Sequence, residues 1–200
     1  MNRKEIKANA KEIIKGNKWN LWKPYLLLFL IMFAAGFLLA LMGLNEDVIN
    51  VMTSLLSLAS IPYSFAIYAY VLKIIRKEPY DVKMLFSFYN IFIPLLVLTI
   101  LISIFVTIGF LLFIIPGVII ALMLTFSQVL IVDGHTGPWN CIVKSKEMMQ
   151  GYKWDYFKFL LSFIGWVLLC IPTFGLISIY VVPYFMTAQM LYYEELRKNS

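Results

Sequence analysis

Lys11, Lys15 and Lys18 fall at three- and four-residue spacing, and Trp19 and Trp22 follow at once. Lys146, Lys153 and Trp154 restate the pattern later in the chain. An ammonium group near a membrane surface gains about 1 kcal/mol from anionic headgroups. An indole ring, apolar in body and polar at one edge, favours the same depth. The chemistry open to these residues is recognition of an anionic, amphipathic surface. Anchoring alone accounts for them; the sharper reading is a collar that binds anionic lipid or a membrane-active peptide.

Bond-making chemistry finds little support. The long apolar stretches contain no Asp, Glu, Lys, Arg or His in their cores, and such groups are the usual mark of proton relays and intramembrane catalysis. Paired aspartates, a Ser/His pair and an HExxH motif are all missing, as are phosphate-binding and dinucleotide fingerprints. The single histidine, His135, sits in Asp133-Gly134-His135-Thr136-Gly137 and reads as a turn residue. Cys141 and Cys170 are expected on opposite sides of the membrane and read as small apolar fillers. No catalytic residue, cofactor or metal ligand is assigned, and the chain is not expected to be an enzyme. Mild polar residues remain: Asn50, Thr53, Ser54, Ser57 and Ser60 in one stretch, Thr125, Ser127 and Gln128 in another, Thr187 and Gln189 in a third. Interhelical packing is their default explanation; lining a substrate cavity is the sharper reading for Gln128 and Gln189.

The elements that would carry these residues are membrane helices. The chain is 62% hydrophobic with a mean hydropathy of +0.83, well above the globular range of roughly 45–50% apolar. About 20 apolar residues suffice to span a bilayer, and six stretches are candidates: Pro24–Leu41, Val48–Val71, Ile91–Leu112, Ile114–Val132, Phe159–Cys170 with Pro172, and Phe174–Tyr192; the fifth is short, so five spans or a re-entrant element is the alternative. All 17 Lys and Arg residues can be placed on one side. The positive-inside rule then puts both termini in the cytoplasm. The net charge of +6 is a topology signal, not a sign of nucleic-acid binding. No cleavable signal peptide is evident, and the first span is expected to stay.

Short outer turns and longer basic inner loops divide one integral membrane domain, 1–200, into a lead-in over 1–23 and hairpins over about 24–72, 91–132 and 159–193. Lys11–Lys23 and Lys146–Lys158 are identical at six of thirteen positions. Pro62-Tyr63 precedes Arg76-Lys77 at the same spacing as Pro183-Tyr184 precedes Arg197-Lys198. The middle copy diverges, keeping Pro116 and Lys83-Met84-Leu85-Phe86. Each lead-in is expected to be an amphipathic helix on the inner surface: Ile6, Ala10, Ile13 and Ile14 oppose the lysine stripe. Gly16 and Gly151 would end these helices in the left-handed conformation. Pro62, Pro116 and Pro183 lie near the outer starts of even-numbered spans, where proline is tolerated in a first turn or kinks the helix. The fold expected is all-α: a polytopic bundle of six spans in three repeated hairpins, arranged about a pseudo-threefold axis. The small residues Gly36 and Ala40 suit helix packing or a homo-oligomer.

Ser145–Lys153 with Phe157, Leu161–Trp166, Pro183-Tyr184, Tyr192-Tyr193 and Ile115-Pro116-Gly117 resemble an uncharacterised family of small Gram-positive integral membrane proteins. That family is distantly similar to the non-catalytic membrane domain of some glycerophosphodiester phosphodiesterases. The resemblance implies a bacterial plasma membrane and no particular activity. The function expected is non-enzymatic handling of an amphipathic ligand, lipid or membrane-active peptide, in envelope protection, sensing or export. The alternatives are a small solute-binding subunit of an ATP-driven uptake system and a structural partner in a membrane complex.

Overall fold

A computed structural model describes residues 2–134 and 137–199; His135 lies outside the described residues. Ten α-helices and one 3₁₀ helix make up the described chain, with no strand among the described residues: α1 Arg3–Leu41, α2 Glu46–Ala59, α3 Ile61–Arg76, the 3₁₀ helix η1 Val82–Ile91, α4 Phe92–Leu112, α5 Ile114–Leu124, α6 Ser127–Val132, α7 Pro138–Met148, α8 Lys153–Leu161, α9 Ile164–Cys170 and α10 Ser178–Asn199.

Local chemistry explains several boundaries. Asn45 caps α2, its side chain accepting from Val48 N–H at 3.2 Å, and Glu46 and Asp47 occupy the positive first turn. α3 carries Pro62 in its opening turn, where a missing N–H is harmless, and ends on left-handed Lys77 after Lys73 and Arg76. Gly151, at φ +83°, lies in the turn that separates α7 from α8. Gly16 does not end a helix. α1 runs through it, and the interruption falls at Asn17 (φ −128°, ψ 26°), whose side-chain amide donates to the Ile13 carbonyl at 3.3 Å. A side chain inserted into the ladder is enough to kink a helix there. Pro183 lies inside α10, and Pro116 lies in the first turn of α5.

Four helical stretches are long and apolar enough to cross a membrane: Arg3–Leu41, Glu46–Arg76, Val82–Leu112 and Ile114–Val132. The sequence suggested six. The fifth candidate is broken at Ser162-Phe163 into α8 and α9. The sixth is the tyrosine- and charge-bearing α10, which starts only at Ser178.

The core gathers on α3, α6 and α10. α3 is buried almost from end to end, packed against η1, α4, α6 and α10, while α1 packs along α10. Tyr63, buried on α3, donates its hydroxyl to the Pro24 carbonyl of α1 at 2.7 Å. Beyond this base α1, α2, α4 and α5 leave many apolar side chains exposed. α2 buries no residue, and Phe29, Phe33, Phe37, Ile108, Leu111 and Ile115 are exposed. Contiguous apolar exposure on this scale marks a surface meant for lipid or another protein. The α4–α5 pair is the tightest: a Cβ on Gly109 would lie 2.9 Å from the Gly117 Cα. Gly36, by contrast, faces open space, so the Gly36–Ala40 spacing packs against nothing within the chain.

Candidate functional site

The first lead-in is built by one helical face. Ile6, Ala10, Ile14 and Leu21 recur at helical spacing and are buried, while Lys11, Lys15 and Lys18 on the remaining surface are exposed. The apolar face is buried inside the protein, where α1 packs along α10 and touches α3. Lys7 donates to the Ser162 carbonyl at 3.1 Å and stands 4.4 Å from the centre of the Phe163 ring. Lys11 lies 5.9 Å from the Tyr184 ring, the outer limit of a cation–π contact. Arg3 pairs with Asp155 at 3.3 Å, and Asp155 also accepts from Tyr192 at 3.0 Å.

The second stripe follows the first in its burial. Moving 135 positions along the chain, Ile6 corresponds to Cys141, Ala10 to Ser145, Ile14 to Met149, Leu21 to Tyr156 and Pro24 to Phe159, and all ten are buried. Lys11 and Lys146 are both exposed, as are Gly16 and Gly151. Trp19 is 68% exposed and its counterpart Trp154 is 72% exposed. Trp22 is half-buried against Tyr25, and Lys153 is half-buried. Two large indole rings left this open in a folded chain are placed for an amphipathic environment.

Lys153 and Trp154 border a groove of about 360 Å³ between α5 and α8. One wall is α5 from Ile114 to Leu122, all apolar along the groove; the other carries Trp154 and Phe157, whose rings meet edge to face at 5.4 Å. Lys153 supplies the one charge on the lining and makes no ion pair among the described residues. A concave apolar surface of this size with a single polar anchor is the form of a small-ligand site.

Gln128 and Gln189 each bond a tyrosine hydroxyl. Gln128 accepts from the Tyr68 hydroxyl at 3.2 Å, and buried Gln189 donates to Tyr156 at 3.1 Å. Neither lines the α5–α8 groove. The hydroxyls of the second stretch turn to their own helix: Thr53 to the Ile49 carbonyl, Ser54 to Asn50, Ser57 to Ser54. Among the described residues none of these three donates to another helix.

The structure also brings together residues that sequence reasoning left apart. Arg76 at the end of α3 grips Asp133, just beyond α6, through two parallel hydrogen bonds of 2.6 and 3.0 Å. Its Nε donates to Glu194 of α10 at 2.8 Å. Asp133 also accepts from Tyr193 at 2.7 Å and meets Arg197 at 3.2 Å. Its side chain is only 5% exposed. Burial pushes the Asp133 carboxyl up, but the hydrogen bonds from Arg76 and Tyr193 and the charges of Arg76 and Arg197 outweigh it, so its pKa is lowered. Two arginines and two carboxylates balance here, knotting the ends of three helices. The matching positions of Arg76 and Arg197 after Pro62 and Pro183 were the one signal for this knot. Their carboxylate partners lie too far along the chain to be read from spacing.

Among the described residues no three His, Cys, Asp or Glu side chains are grouped to hold a metal ion. The family model described as "Protein of unknown function (DUF975)" matches residues 1–128 and 107–200, and the chain belongs to this family. No curated protein matches the chain, and no solved structure does.

Proposed function

We propose that this member of the family is a non-catalytic, multi-pass protein of a bacterial plasma membrane that handles an amphipathic ligand in envelope protection, sensing or export. The observation that carries the reading is the α5–α8 groove: an apolar trough opening beside exposed Trp154 with Lys153 as its one charge. Amphipathic molecules combine a chain that avoids water with a polar head, and a trough with one cation matches both needs at once.

The same proposal places both termini in the cytoplasm, with three hairpins crossing and recrossing the bilayer as six spans. The distribution of the 17 basic residues supports this topology. The shared burial order of the lead-ins, 135 residues apart, and the knot at the ends of α3, α6 and α10 support three copies about a central axis. Lys11, Lys15, Lys18, Lys146 and Lys153 with the neighbouring tryptophans then form a collar for anionic headgroups. A Gram-positive source and kinship with the membrane domain of glycerophosphodiester phosphodiesterases fit this picture and rest on the sequence resemblance alone.

Native mass spectrometry of the protein released from its own membranes tests the proposal. A stoichiometric lipid or membrane-active peptide adduct is the expected result. A bare monomer, or a defined heteromeric mass, would overturn it in favour of a scaffold or a transport subunit.

A further inference from the structure

Resting on the reading of the α5–α8 groove as a ligand site, we infer that its occupant is one acyl chain of an anionic phospholipid, with the headgroup phosphate held at Lys153. The trough follows α5 from Ile114 to Leu122, eight helical steps or about 12 Å at 1.5 Å per residue. Its walls are hydrocarbon and aromatic, so they reward burial of CH₂ groups and offer little to a polar backbone. Ile114 and Ile115 at one end are about three-quarters exposed (74% and 73%), so the trough is open along the apolar flank from which a lipid chain would enter.

Charge selects the head. The nearest acidic neighbour in sequence, Asp155, is already held by Arg3 and Tyr192, and Lys153 has no carboxylate of its own among the described residues. An unneutralised lysine beside an indole favours a phosphate and disfavours a cationic peptide, which would bring like charge to the same point. A second crevice, between η1 and the α1–α2 pair, makes the contrast. Where Phe86 and Tyr89 of η1 meet α1 and α2, the space is only about 90 Å³ and no lysine lines it. Volume and cation coincide at the α5–α8 groove.

The full-length protein in mild detergent, titrated with dioleoyl phosphatidylglycerol or dioleoyl phosphatidylcholine and read by native mass spectrometry, provides the test. One tightly held phosphatidylglycerol is expected, with a Kd about fivefold below that of phosphatidylcholine, the ratio that about 1 kcal/mol per headgroup-contacting lysine represents. Lys153→Gln should erase that preference, weakening phosphatidylglycerol about fivefold more than phosphatidylcholine. Val118→Trp, which fills the trough, should remove both adducts; Ile115→Trp, at a surface position, does the same without disturbing the core if Val118→Trp fails to fold. Phosphatidylglycerol binding that survives all three variants would overturn the site but leave ligand handling standing. Saturable binding of a cationic membrane-active peptide, with no lipid adduct, would overturn the lipid assignment alone. Binding of neither would overturn both readings.

Discussion

Replacing Asp133 by Asn changes almost no volume and removes one charge from the knot at the helix ends. The side chain is 5% exposed and takes two hydrogen bonds from Arg76, one from Tyr193 and a contact from Arg197. The amide can still accept at one oxygen, but its NH₂ now faces donors. Breaking a buried ion pair from one side costs about 3–5 kcal/mol. Arg76 keeps Glu194 and some solvent, so the lower end, about 3 kcal/mol, is expected here. For a chain of this size each kcal/mol moves Tm by about 2–4 °C, giving a drop of about 6–12 °C. Thermal unfolding of the detergent-solubilised protein, followed by tryptophan fluorescence, measures it. A cycle with Arg76→Gln should show the double variant costing less than the sum of the singles by about 1–3 kcal/mol. The pH dependence adds a signed check. A carboxyl whose folded pKa is lowered stabilises above its unfolded value of about 3.9 and loses that contribution as pH falls through the folded value. The gap between wild type and Asp133→Asn should therefore be full at pH 7 and close below about pH 4. A Tm within 2 °C of wild type at pH 7, or strictly additive singles, would refute the reasoning.

Tyr63→Phe removes the buried hydroxyl that reaches the Pro24 carbonyl and should cost about 1 kcal/mol in the same assay. An added Cβ at Gly117 would sit 2.6 Å from the Phe110 ring and 2.9 Å from the Phe110 Cα, whereas one at Gly36 meets nothing. Gly117→Ala should accordingly destabilise by about 1–3 kcal/mol, and Gly36→Ala should be neutral or stabilising; equal effects would contradict the packing of α4 on α5. Burial pushes the Cys141 thiol up to about 11, so at pH 8 maleimide should label the half-buried Cys170 well before Cys141, with both reacting after denaturation.

The class of fold was written in composition and periodicity. Apolar runs of the length of Ile91–Leu112 admit few solutions besides a helix in an apolar setting, because unpaired backbone groups there cost too much. Capping by Asn45 and the break before Pro62 act over three or four residues, yet the unbroken apolar run Val48–Val71 hid the division between α2 and α3. The ends of the repeated segments could be matched by eye, since identity at fixed spacing needs no third dimension. What the chain alone could not decide was partnership across its length. Arg76 and Asp133 are 57 residues apart, and Glu194 is 118 from Arg76; their pairing exists only because α3, α6 and α10 end side by side. The α5–α8 groove is likewise a property of two surfaces held apart, and neither Ile115 nor Phe157 carries any mark of it in sequence. Nor did periodicity reveal that Asn17, not Gly16, interrupts α1, because glycine permits a left-handed turn without requiring one. Burial of the lead-in face on α10 had the same origin: a helix with one apolar stripe will cover it with whatever lies nearest, and only the assembled chain determines what that is.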